Sequence, residues 1–106
     1  MKIINLQEVA EREIVPGYFG KFIHSERMTI VHWRILANHP LPEHSHPHEQ
    51  VVHVREGTFD LTVAGEKHTL TAGSMLVIPP GVPHAGVGRT DCRITDTFCP
   101  VREDYR

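Results

Sequence analysis

The stretch from Leu41 to Gly57, LPEHSHPHEQVVHVREG, holds His44, His46, His48 and His53, four of the nine histidines in the chain. His44 and His46 are separated by one residue, so in extended backbone both rings project to the same side. Two imidazoles on one side are the simplest metal pincer a strand can offer. An oxygen ligand, Gln50, follows four residues after His46. Downstream, GSMLVIPPGVPH sets a strand after Gly73, then a Pro-Pro-Gly-Val-Pro turn, then His84. A turn that rigid fixes the direction in which His84 enters. The other histidines read differently. His48 sits in a bend between the candidate ligands and is expected outside the set. Gln50, Val52 and Val54 share the inward face of one strand, which turns His53 outward. His24, His39 and His68 read as solvated. His32 either lines a barrel interior beside Arg34 or is a satisfied interior histidine.

The elements that must position these groups are short. Turn-forming clusters recur every eight to twelve residues: Pro16-Gly17, His24–Arg27, Asn38–Pro42, Glu56-Gly57, Gly65-Glu66, Ala72-Gly73, Pro79–Pro83 and Gly88–Asp91. Between them lie runs rich in Val, Ile, Thr and Phe, such as MTIVHWRILA, QVVHVR, TFDLTVA and CRITDTF. Short strands at that spacing predict an all-β sandwich or barrel. LQEVAERE alone has helical character, enough for one or two turns. A chain of 106 residues predicts one domain over 1–106.

Composition narrows the function classes. With 40% hydrophobic and 23% charged residues and a formal charge of −2, nothing favours nucleic acid or an anionic membrane as partner. No window approaches the roughly 18 apolar residues of a membrane span, and the N-terminus carries no secretory pattern. Cys92 and Cys99 lie seven positions apart in a strand-like stretch, pointing to opposite faces at roughly 20 Å by strand rise, far beyond disulfide reach. Reduced thiols agree with a cytoplasmic address.

HSHPHEQVVHVREG resembles the first cupin motif: His-x-His, three or four residues, Glu, six residues, Gly. GSMLVIPPGVPHAGVG resembles the second: Gly, five residues, Pro-x-Gly, two residues, His, three residues, Asn. The motifs span about 41–57 and 73–88. Gln50 stands where the family has Glu, and Gly88 where it has Asn. The resemblance implies a double-stranded β-helix, or jelly-roll barrel, and a site for one divalent transition metal (Ni, Zn, Fe, Mn or Co) held by His44, His46, Gln50 and His84. Three neutral imidazoles and an amide oxygen suit such an ion. Gln in place of Glu leaves the site one unit more positive. Gly86 and Gly88 alternate with His84 and are expected to leave open volume beside the metal or to allow a close backbone approach.

The tail, ITDTFCPVREDYR, turns Ile94, Asp96 and Phe98 to one strand face. If that face is inward, Asp96 is a carboxylate in an apolar barrel, either paired, for instance with Arg102, or tuned as an acid/base. HPHEQ together with DTFCPVRED is similar to KdgF-type cupins, which convert 4,5-unsaturated monouronates from pectin and alginate into linear keto sugars. That resemblance implies catalytic roles for Asp96, Phe98 and Arg102 and a sugar acid as the small-molecule substrate. A metal-dependent cupin dioxygenase and a non-catalytic sugar- or metabolite-binding cupin are the alternatives. Exposed strand edges in so short a chain predict a homodimer through Tyr18–Ile23 and the outward face bearing Val51 and His53.

Overall fold

The structure, a computed structural model of residues 1–106, has ten strands. They are β1 (Arg12–Val15), β2 (Tyr18–His24), β3 (Thr29–Ile35), β4 (Pro40–His44), β5 (Glu49–Glu56), β6 (Phe59–Val63), β7 (Glu66–Leu70), β8 (Met75–Ile78), β9 (His84–Gly88) and β10 (Cys92–Cys99). All pair antiparallel into a six-stranded sheet, β1-β2-β3-β10-β5-β8, and a four-stranded sheet, β4-β9-β6-β7. The all-β architecture expected from the spacing of the turns, and the jelly roll that the resemblance implies, are the fold observed. No helix is long and apolar enough to cross a membrane.

Two segments depart from the sequence reading. LQEVAERE yields a single 3-10 turn, Leu6–Glu8, capped by the Asn5 side chain. The chain then becomes β1, whose residues pair with β2 instead of continuing a helix that would have had little apolar surface to bury. The Asn38–Pro42 cluster is a turn at its start, but Pro40 already begins β4. β4 is an edge strand of the smaller sheet, the place where a strand tolerates prolines that cannot donate a ladder hydrogen bond.

Alternation along the large sheet builds the core in rows. Register sets Trp33, Ile94 and Val54 abreast, then Val31, Asp96 and Val52, then Thr29, Phe98, Gln50 and Ile78. All ten are buried. The apolar rows fill the interior, and the last row opens on one end of the barrel. Along β3 the odd-numbered residues are buried and the even-numbered ones half-buried, so His32 lies on the outer face and does not line the barrel. Tyr18 likewise points inward and packs edge-on against Trp33 at 6.3 Å, so only alternate residues of Tyr18–Ile23 face outward. Cys92 is buried and Cys99 exposed, and both are free thiols.

Candidate metal centre

His44 closes β4 and His84 opens β9, and the two are direct register partners. Their rings stand 4.2 Å apart between centroids. His46 follows β4 in the loop to β5, with its ring 5.8 Å from His44 and 5.0 Å from His84. That loop is tied to the proline turn before His84, because Gly81 N donates to His46 O at 2.8 Å. One ligand atom from each of the three imidazoles lies within 4.8 Å of the others. The two halves of the pattern, some forty residues apart in sequence, therefore meet where the two sheets join.

Each ring is oriented by the backbone. His44 Nδ1 pairs with Pro42 O at 2.9 Å, His84 Nδ1 with Val82 O at 2.9 Å and His46 Nδ1 with His48 O at 3.1 Å. A carbonyl only accepts, so each Nδ1 carries the hydrogen and each Nε2 presents a lone pair. Burial, with the nearby Arg102 and His84 charges, pushes the His46 imidazole down to about 4. Burial also lowers His84. Both rings are thus held neutral, as metal binding requires.

The donors fit a metal. His84 Nε2 is buried without any hydrogen-bond partner. Gln50 Oε1 lies 3.0 Å from His46 Nε2, two lone-pair-bearing atoms facing one another, an arrangement that a cation between them relieves. Adjacent ligands on an ion with bonds of about 2.1 Å stand about 3.0 Å apart. His48 lies outside this set: its Nε2 faces Val101 O at 3.2 Å.

The same end of the barrel collects the tail residues. His44, Gln50, His84, Asp96, Phe98 and Arg102 line one cavity. Asp96 sits on the central strand between Val31 and Val52. Trp33 Nε1 donates to its Oδ2 at 2.9 Å, while Oδ1 is buried and unpartnered. Burial drives this carboxyl up to about 6, against the opposing pull of Gln50, Trp33 and the Arg102 charge. Gln50 stands close by without a well-formed hydrogen bond to Oδ1.

Arg102 does not pair with Asp96. Its Nε and Nη2 grip the two Asp104 oxygens at 2.9 and 2.7 Å, and its guanidinium lies 4.7 Å from the Phe98 ring centroid and 4.1 Å from that of Tyr105. The backbone N–H of Arg102 donates to Thr29 Oγ1, which seats the tail across the barrel end. Gly86 and Gly88 do not leave open room beside the histidines. A Cβ on Gly86 would stand 2.4 Å from the Phe59 ring, and one on Gly88 would meet Thr90 O at 2.6 Å. The close-approach alternative holds: the missing side chains let the Phe59 ring and the backbone of Thr90 press against β9.

Residues 31–98 match the cupin domain family. The chain is a cupin. It is 31% identical to an RmlC-like cupin from Shewanella frigidimarina, with 94% of this chain and 91% of that one covered and a TM-score of 0.89. This small cupin also resembles KdgF from Halomonas sp. over its whole length: 26% identity, 100% and 99% coverage, TM-score 0.93. Salicylate 1,2-dioxygenase from Pseudoaminobacter salicylatoxidans shares the fold at 19% identity and a TM-score of 0.78, over 82% of this chain and 26% of that one. No curated protein sequence matches the chain.

Sequence reasoning missed three residues around the cupin cavity: Trp33, Asp104 and Tyr105. Trp33 had a legible signal, since it alternates with Val31 and Ile35 on β3 and a buried indole N–H must find an acceptor.

Proposed function

We propose that this cupin opens 4,5-unsaturated monouronates to linear keto sugars, with His44, His46, Gln50 and His84 as ligands of one divalent transition metal. The observation that carries the reading is Asp96, a carboxylate set between two valines with one oxygen unpartnered, which lines the same cavity as His44 and His84. Whole-length similarity to KdgF supports the substrate class. A bound metal would supply Lewis acidity toward the sugar oxygens.

The remaining roles fall to side chains. Asp96, titrating at about 6, is suited to exchanging a proton near neutral pH. It takes the proton of the C1 hydroxyl as the bond between C1 and the ring oxygen breaks. The ring oxygen leaves with the bonding electrons as the enolate at C5, and Asp96 returns the same proton to C4 to give the ketone. Nothing is oxidised or reduced. Arg102 meets the substrate carboxylate, and Phe98 packs on a sugar face. The cavity is about 60 Å³, room for a few waters, so it must widen to admit a monouronate.

The test is loss of the conjugated enol-ether absorbance when metal-loaded protein meets unsaturated galacturonate or the unsaturated monomer from alginate. Turnover in the absence of oxygen is expected. If neither sugar reacts and oxygen is consumed with another substrate, the protein is a dioxygenase. Tight metabolite binding with no turnover at all makes it a binding module.

A further inference from the structure

A guanidinium has two edges that can grip a carboxylate: the side edge, Nε with Nη2, and the end edge, Nη1 with Nη2. In this cupin Asp104 takes the side edge of Arg102 with both oxygens. The end edge makes no other well-formed hydrogen bond, with the Tyr105 hydroxyl as its nearest polar neighbour. The Arg102 side chain is only 8% exposed, set in the corner between the Phe98 and Tyr105 rings, whereas Asp104 is 57% exposed. Arg102 lines the cavity, and its charge is felt at His46, His84 and Asp96. The charge therefore looks inward, and the carboxylate that holds it stands toward solvent.

We propose that Asp104 is the positioning residue for acid recognition: it clamps the side edge of Arg102 so that the end edge faces the cavity, ready for a substrate carboxylate. Three restraints then fix one guanidinium. Two aromatic rings inclined at 72° form the corner in which it sits, the Thr29 hydroxyl pins its backbone, and Asp104 sets the direction of its fork. Without the last restraint the fork turns more freely against its ring neighbours, and a bidentate grip must order it at the moment of binding. The cost of the clamp is partial neutralisation of the arginine, so the gain is one of geometry and not of raw charge. The inference rests on the reading of Arg102 as the carboxylate-binding group.

The experiment is an NMR titration of the metal-loaded protein with galacturonate and, separately, with galactose, which has the same ring and no carboxylate. Wild type is expected to favour galacturonate. Asp104→Asn is expected to weaken galacturonate binding by about 2- to 13-fold, the scale of ordering one long side chain at the moment of binding, and to leave galactose binding unchanged. Asp104→Glu, which keeps the carboxylate, is expected to restore most of the preference. Tighter galacturonate binding by Asp104→Asn would make Asp104 a competitor for the fork and overturn the proposal. Equal loss for both sugars overturns it too, because a merely structural role has that signature. If wild type itself shows no preference for the acid, the reading of Arg102 fails along with the inference. If the preference is present and Asp104→Asn leaves it intact, the inference alone fails.

Discussion

Asp96→Asn separates the catalytic reading of this carboxylate from a structural one, through stability as well as rate. In the unfolded chain the group titrates near its ordinary value of 3.8, and in the fold burial lifts it to about 6. The native state therefore binds this proton more tightly than the unfolded state does. Below about pH 3 the group is protonated in both states and carries no penalty. From about pH 3 to pH 6 the unfolded chain ionises first and stability falls; well above pH 6 the full penalty is present. A shift of about two units at 1.36 kcal/mol each amounts to about 3 kcal/mol. Asn resembles the protonated acid, and its Oδ1 can still accept from Trp33 Nε1. Metal-free Asp96→Asn is thus expected to match wild type at about pH 3 and to exceed it by about 3 kcal/mol at pH 8. Urea unfolding at one-unit pH steps measures this; with a slope of about 1–2 kcal/mol/M the midpoint at pH 8 rises by roughly 1.5–3 M. All other carboxylates are common to both proteins and drop out of the difference. On the metal-loaded protein the same change is expected to lower turnover by roughly 10²- to 10⁴-fold with metal content unchanged. A variant less stable than wild type at pH 8, or a difference flat across pH, would refute the reasoning and make ionised Asp96 a structural partner.

Three further outcomes are expected. Wild type purified without a nickel column should carry about one equivalent of a transition metal, and His84→Ala below about 0.1 equivalent by elemental analysis; full occupancy in the variant removes His84 from the ligand set. Gly86→Ala drives a Cβ into the buried Phe59 ring and should cost about 2 kcal/mol by overpacking, lowering Tm by roughly 8–16 °C; an unchanged melting curve would show that the ring yields freely. Ile23, Ile30, Thr97, Val51 and Val77 form one register row across the outside of the large sheet, with Val77 56% and Met75 61% exposed at its β8 end. We propose this row as the core of a homodimer interface, so light scattering should give twice the chain mass, and Val77→Glu the mass of one chain.

Residues whose roles follow from period two were legible in the sequence. Gln50, Val52 and Val54 on β5, and Ile94, Asp96 and Phe98 on β10, face inward as alternation requires. The convergence of His44, His46 and His84 was legible as a motif, although their meeting depends on β4 pairing with β9, which no local pattern announces. β4 itself was hidden because its prolines read as turn signals, and only its place at a sheet edge makes them harmless. The glycines misled for a related reason. A missing side chain records that something comes close without saying what, and Phe59 lies twenty-seven residues before Gly86. The partner of Arg102 was two residues away, but a carboxylate on the solvent side of a short 3-10 turn carries no periodic signature.

All three clustered histidines take their orientation from main-chain carbonyls two positions away: Pro42 O, His48 O and Val82 O. Every amino acid supplies that acceptor, so no single substitution deletes it. In centres where an Asp or Glu orients the imidazole, that carboxylate is a separate target for mutation, and its charge raises the basicity of the ring. This cupin has neither the vulnerability nor that means of tuning. Drift within the lineage can recolour the walls of the cavity while the three rings keep their aim. With the ligand set proposed above, change in the metal's character would be left chiefly to position 50, where one exchange between amide and carboxylate resets the charge of the site. A scan of all substitutions at Pro42, His48 and Val82, scored for metal content, should therefore be far flatter than one at Gln50.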